Sequence, residues 1–223
     1  MKKNSLLILT IICSLPFLAN SQDVRLNLYT GYVFDNRFDS YYDAYNYYEG
    51  KIEGGFQWGG GIEVAMKGGS SFEAMYIRQD TKAPTTYLNG GTFNDIDYAN
   101  FDLALNYIMI GGGSSLKTSN SKVEAYGKLM AGMVVAGIDN PVNGKSSSAT
   151  KFAWGLKGGA NIWVTESIGI KMQAQLLSAV QSVGGSFYFG TGGSGAGLSA
   201  YSSLYQFTIG GGLAIKFPTG AKK

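Results

Sequence analysis

Nine charged residues recur at polar positions of alternating runs: Arg25, Glu63, Glu73, Asp102, Glu124, Lys128, Lys157, Lys171 and Lys216. Charges of both signs on one parity can do two things. They can line an ion path gated by exchangeable salt bridges, or they can form a structural polar plug, paired because an unpaired buried charge costs several kcal/mol. A second group is aromatic. The stretch "SYYDAYNYYEG" (residues 40–50) carries Tyr41, Tyr42, Tyr45, Tyr47 and Tyr48 and follows neither a helix face nor a strand alternation. Tyrosine offers rigid contact area with a hydroxyl for hydrogen bonds, which suits a recognition surface. The same rings could instead stack on a hairpin or sit in an interfacial girdle. The chain has no histidine, and its single cysteine, Cys13, lies in an N-terminal apolar run. Histidine-assisted nucleophiles, cysteine nucleophiles and Cys/His zinc sites are thereby excluded from the mature chain. No spacing points to a serine–lysine pair or to paired carboxylates, so no catalytic, cofactor-binding or metal residue is assigned. Asp35, Asp39 and Asp43 could weakly attract calcium, but their i, i+4 spacing is not that of an EF-hand loop.

The N-terminus places these residues outside the cytoplasm. Lys2 and Lys3 form a basic region, residues 6–18 an apolar core, and Ala19 and Ser21 a small-residue cleavage site. Cleavage is expected after Ser21, making residues 1–21 a signal peptide and 22–223 the mature domain. Ile12 is too large to precede a lipidated cysteine, and the mature chain then has no cysteine and no disulfide. Loss of Lys2 and Lys3 leaves sixteen basic against fifteen acidic residues, a net charge of +1, which is no footprint for nucleic acid. Charged residues make up 15% of the chain, against the ~25% of ordinary soluble domains. With 13% aromatics and 33 glycines, the apolar surface must face something other than water. No mature run approaches the ~18 apolar residues of a spanning helix, so membrane-crossing elements would have to be strands.

Period two dominates the chain. Val24, Leu26, Leu28, Tyr32 and Phe34 alternate with Arg25, Asn27 and Tyr29. Phe56, Trp58, Ile62 and Val64 alternate with Gln57, Gly59, Gly61 and Glu63. Weaker alternation sets Phe72, Ala74 and Tyr76 against Glu73, Met75 and Ile77. Phe101, Leu103, Leu105, Tyr107 and Met109 stand against Asp102, Ala104 and Asn106. Four further runs start near Val123, Phe152, Ile168 and Tyr205, with Glu124, Lys128, Lys157, Lys171 and Lys216 on their polar parity. These eight runs approach or exceed the ~10 residues of a tilted membrane strand. Pro84, Pro141 and Pro218 are expected outside them. The gaps are long at 35–52, 79–96, 138–150 and 181–203, and short at 67–70 and 165–167. The gap at 111–121 reads as a Gly/Ser-rich disordered turn.

An apolar face could point inward at a ligand, as in a soluble barrel, or outward at lipid. Low charge, small residues on the polar face and aromatics at run ends favour lipid. Phe56, Trp58, Phe101, Phe152, Trp154, Tyr205, Phe207, Tyr32, Phe34 and Tyr76 would form one girdle, and Phe72, Tyr107 and Phe217 the other. The fold class expected is all-β, an eight-stranded antiparallel up-and-down transmembrane barrel. From residue 23 to 217 the chain resembles the small outer-membrane β-barrels of Gram-negative bacteria, the OmpA/OmpX-type and porin-family group. The ending "GGGLAIKF" is similar to the C-terminal signal read by the barrel-assembly machinery, with Gly212, Ile215 and Phe217 as its carriers. The family ends on that aromatic, whereas "PTGAKK" follows here. The resemblance implies both termini in the periplasm, the tyrosine stretch outside the cell, and outer-membrane lipid and lipopolysaccharide as surroundings. Enzymes of such barrels resemble one another in using a histidine, which this chain lacks.

The expected function is non-enzymatic, structural or surface-interaction work through extracellular loops toward an unknown ligand. Phe187, Tyr188 and Phe189 in the last gap are a second contact candidate, and that gap is expected to be mobile. The alternatives are a narrow porin-like channel for ions or small solutes and a soluble ligand-binding barrel.

Overall fold

The computed structural model describes residues 23–43, 46–66, 68–88, 96–117, 122–141, 144, 146–180, 186–188, 195–197 and 204–217. Twelve strands follow in order: β1 (Asp23–Val33), β2 (Asn36–Asp43), β3 (Asn46–Ile52), β4 (Gly55–Ala65), β5 (Ser70–Leu88), β6 (Ile96–Lys117), β7 (Val123–Asp139), β8 (Ser146–Trp163), β9 (Ile168–Ala179), β10 (Ser186–Tyr188), β11 (Gly195–Gly197) and β12 (Leu204–Phe217). Eight of them close a ring in the order β1-β4-β5-β6-β7-β8-β9-β12, and β12 returns to β1. Every pairing is antiparallel. Closure leaves these eight strands no free edge over the ring, as a lipid environment requires.

Alternation becomes direction in this ring. On β1, Arg25, Asn27 and Tyr29 are buried in the lumen while Leu28 and Tyr32 face outward and are exposed. The same holds for Glu63 against Ile62, Glu124 and Lys128 against Leu129, Lys157 against Leu156, and Lys171 against Ile170 and Met172. The outer wall is therefore apolar and the interior polar, the reverse of a water-soluble barrel and the arrangement of a lipid-embedded one.

β6 departs from the expectation. Phe101, Leu103, Leu105, Tyr107 and Met109 point into the lumen, and Phe101 and Tyr107 are 0% exposed. Asp102, expected inside, faces outward and is exposed. Phe101 and Tyr107 accordingly belong to no girdle. The cause lies in the ladder: Tyr107 pairs with Ile77 of β5 and Val134 of β7, both inward-facing. A one-residue slip would flip every side chain of the strand. β6 also carries Ile108 and Ile110 on its outer face, so both parities are apolar and local alternation could not choose between them.

The two ends of the ring differ. At one end the turns are tight. Gly68 and Gly69 have φ of 87° and 86°, a conformation that glycine adopts without steric cost, and Met66 N–H donates to the Ser70 carbonyl at 2.8 Å. Between β8 and β9 the Thr165 hydroxyl accepts from the Ile168 N–H at 2.9 Å. The Gly/Ser segment expected as a disordered turn is largely strand, since β6 runs on to Lys117 and pairs with Glu124. A Cβ at Gly113 would lie 1.9 Å from the Gly127 carbonyl oxygen, and one at Gly212 would lie 1.7 Å from that of Leu28. These glycines allow close backbone approach in the ring.

At the other end the strands continue past the apolar wall. β5 and β6 pair from Ser70–Ser114 to Leu88–Ile96, so residues 79–88, expected as loop, are strand. Outward positions on β5 change from Phe72 and Tyr76 to Arg78, Asp80 and Lys82, which marks where the apolar environment stops. Pro84 sits inside β5, contrary to expectation, opposite Asn100. The Lys82 carbonyl accepts from Glu53 N–H on the side away from β6. Residue 84 turns to that same side, beyond the end of the β4 ladder at Gln79, so the missing N–H disrupts no ring pairing. The gap 35–52 holds the hairpin β2–β3, and β3 pairs with β5 through Tyr48, Glu49 and Gly50.

Asp35 anchors the entry to that hairpin. Its carboxylate accepts from Gly54 N–H at 2.7 Å and from Lys51 Nζ at 3.0 Å. The Gly54 bond first, then Lys51, holds its pKa below the ordinary 3.8. A depressed carboxyl contributes stability above its unfolded pKa and loses it as pH falls through the folded value. The protection factor of the Gly54 amide should therefore be high at pH 6 and fall on acidification below about pH 4. In Asp35→Asn the protection should be lower and the same at both pH values.

Candidate functional site

Strands β1, β4, β5, β7, β8 and β9 each send charged side chains into the half of the lumen nearest the short turns. Glu73 receives Lys128 Nζ and Lys157 Nζ, each at 2.8 Å. Glu63 receives Lys128 Nζ at 2.8 Å and stands 3.6 Å from Arg25 Nη1. Glu124 receives Arg25 Nη1 and the Trp163 indole N–H, both at 2.8 Å. Asn27 donates to Glu63 at 2.9 Å and to Glu73 at 3.3 Å, joining the carboxylates. Arg25 lies over the Trp163 ring at 5.2 Å, and Lys157 donates to the Tyr29 hydroxyl at 3.1 Å. All these side chains are buried. In a low-dielectric interior such a network is strong only while each member is satisfied.

The remaining sequence-derived lumen candidates take no part in these ion pairs. Lys171 is 1% exposed and lies 4.2 Å from the Tyr126 ring centroid, but its Nζ has no hydrogen-bond partner. Lys216 is at the short-turn mouth, paired with Asp23 at 2.7 Å and half-buried. Asp102 is on the outer face of the projecting wall, opposite Lys82 and Asp139 in the ladders. Asn27, Tyr29 and Tyr126 stood on the polar parity without being taken as site residues, and Trp163 was missed. Continuing the polar parity Lys157, Gly159, Asn161 by one step reaches Trp163, so period two carried that signal.

Below the network the lumen opens into a vestibule of about 630 Å³ lined by Asp23, Lys117, Glu166 and Lys216, with Arg25, Glu124 and Trp163 at its floor. Above the network lies a second layer, uncharged except for the buried Lys151, which pairs in the ladder with Val134. Tyr107 OH donates to Gln206 at 2.7 Å, and Gln206 Nε2 donates to Gln79 at 2.6 Å. Ile77, Leu105, Met130, Val134 and Leu177 fill the space around that chain, each at most 1% exposed. An eight-stranded barrel is just wide enough for its own side chains to fill, and here they do so in two layers, one built on ion pairs and one largely apolar.

Among the described residues no group of three or more acids could hold a metal ion. Tyr41, Tyr42, Tyr47 and Tyr48 lie on the β2–β3 backbone, but their side chains and all of Tyr45 are outside the described residues. Phe187 and Tyr188 lie on β10, which pairs with β11; their side chains, and all of Phe189, are likewise outside them. Asp39 and Asp43 share that status for their side chains. Gly212, Ile215 and Phe217 are on β12, where Ile215 pairs with Leu26 and Ile168, and Phe217 faces outward.

No family model matches the chain, and no curated protein matches it. The chain superposes on solved structures of outer-membrane barrels. Neisserial surface protein A superposes with a TM-score of 0.48 at 14% identity, over 88% of this chain and 97% of that one. Ail, the attachment invasion locus protein of Yersinia pestis, gives 0.43 at 14%, over 86% and 98%. The outer membrane protein OprG of Pseudomonas aeruginosa gives 0.47 at 11%, over 89% and 97%.

Proposed function

We propose that this chain is a non-enzymatic outer-membrane barrel whose work is done on the cell surface by its projecting hairpins. In this reading residues 1–21 are a cleaved export signal, the short turns face the periplasm, and β5–β6 with β2–β3 stand outside the cell. Outer-membrane lipid and lipopolysaccharide surround the apolar wall, the barrel-assembly machinery reads the β12 end, and an extracellular ligand meets the hairpins. The supporting observation is the contrast between a lumen filled by two layers of buried side chains and a β5–β6 ladder that continues ten residues beyond Arg78 on β5. A filled lumen offers a solute no path, whereas the projecting sheet is accessible. Lack of histidine removes the chemistry that barrel enzymes share.

The test is a variant in which residues 82–102 are replaced by a two-residue Asn-Gly turn joining the ladder partners Thr81 and Leu103, displayed on cells beside the wild type. The wild type is expected to adhere to protein- or glycan-coated surfaces. The variant is expected to keep its heat-modifiable migration and lose adherence. Equal adherence by the two would remove the projecting sheet from the function.

A further inference from the structure

The vestibule at the short-turn mouth is a cavity of about 630 Å³ whose lining carries charges of both signs. Arg25, Lys117 and Lys216 stand there with Asp23, Glu124 and Glu166. Two ion pairs use four of them: Lys216 holds Asp23 at 2.7 Å, and Arg25 Nη1 holds Glu124 at 2.8 Å. Lys117 and Glu166 remain, one of each sign. Both are exposed, and neither joins an ion pair among the described residues.

The fold keeps these two apart. Lys117 ends β6 and pairs in the ladder with Glu124 of β7, which pairs with Asn161 of β8. Glu166 lies in the turn after β8. That turn is tied to the far side of the mouth, where the Lys216 N–H donates to the Ser167 carbonyl at 2.7 Å. Two strand spacings of ~4.8 Å separate β6 from β8, so the two backbones stand roughly 10 Å apart. Between them the floor is Arg25 and Trp163. Arg25 makes its ion pairs through Nη1, and its Nε has no partner, so the guanidinium has donors to spare.

A cation without a partner on one wall, an anion without one on another, and a guanidinium at the floor suit a ligand that is itself dipolar. An inorganic anion would meet three carboxylates in the same lining, and a metal cation would meet three basic side chains. We infer that the vestibule binds a short peptide with free ends, its carboxylate at Lys117 and Arg25 and its ammonium at Glu166. An extended chain covers ~3.3–3.6 Å per residue, so about three residues span the gap. The cavity volume lies in the range of small-ligand sites. The site is at the end opposite the projecting hairpins and does not depend on what they contact.

Calorimetric titration of the refolded barrel in nonionic detergent with trialanine tests this. The wild type should bind trialanine saturably. It should bind trialanine amide and N-acetyl-trialanine at least about fivefold more weakly, the upper range for one exposed ion pair. Lys117→Gln should weaken trialanine by a similar factor and leave the amide unchanged, because the carboxylate that Lys117 meets is already gone. Glu166→Gln should weaken trialanine and leave the N-acetyl form unchanged. Both residues lie at the exposed rim, so neither substitution touches the buried cluster. The hairpin variant lacking residues 82–102 should bind like the wild type, which separates this site from the surface function. No saturable binding of trialanine, equal affinity for the blocked peptides, or rim variants that bind all three peptides like the wild type would overturn the site.

Discussion

Glu73→Gln should destabilise the refolded barrel by about 3–5 kcal/mol, the cost of stranding a buried charge. Glu73 is the acid that holds two lysines at once, Lys128 and Lys157, each at 2.8 Å and each fully enclosed. Lys128 would retain Glu63. Lys157 would keep only the Tyr29 hydroxyl and a 3.8 Å contact to Met75 sulfur. The substitution preserves volume, so the loss is electrostatic and not a cavity effect. The double variant Glu73→Gln/Lys157→Met should recover a large part of it, because removing both partners leaves no orphaned charge. Urea titrations of the three proteins measure this. A single variant with the wild-type midpoint would mean that the cluster is more hydrated than its burial indicates.

Leu129→Arg should cost about 2–4 kcal/mol in a bilayer, the range for a cation at the lipid-facing midplane of a barrel. Leu129 points outward on β7 and is 60% exposed, in the middle of an apolar file from Val123 to Met133. In water an arginine at such a site would change little. The same change on the projecting wall, Asp102→Arg, should stay within about 0.5 kcal/mol, as for exposed positions generally. Refolding titrations into lipid vesicles distinguish the two sites. Equal, small effects at both would mean that the outer face does not meet lipid at Leu129.

Strand number, ring closure and the direction of most side chains were legible because a half-polar barrel wall imposes period two. On β1, β4, β7, β8, β9 and β12 the residues that alternate in the sequence alternate between lumen and lipid. β6 was illegible because Phe101, Leu103, Leu105, Tyr107 and Met109 fill the lumen while Ile108 and Ile110 are exposed on the outer wall, so hydrophobicity marks both faces. Only pairing with β5 and β7, a long-range fact, sets its register. The projecting strands were read as loops because polar residues such as Thr81, Lys82 and Thr86, together with Pro84, look like turn composition. Their pairing with residues 96–103 stabilises them, and their inner side buries Ala83, Ala99, Phe101 and Leu103. Within the site, period two found the charged residues but could not pair them. Which carboxylate meets which lysine depends on neighbours across the lumen, such as Arg25 and Glu124, which are ninety-nine residues apart. Asn27 was seen only as part of a polar parity, yet it joins two carboxylates.

The central claim is that the lumen is closed and the work lies outside it. Single-channel recording of the refolded mature chain in a planar bilayer tests it most directly. The expected result is folded, inserted protein with no conductance steps, because the Glu73 cluster and the Tyr107–Gln206–Gln79 layer block any water path. Stable steps of reproducible size would contradict the account, and would make the paired charges the lining of a channel.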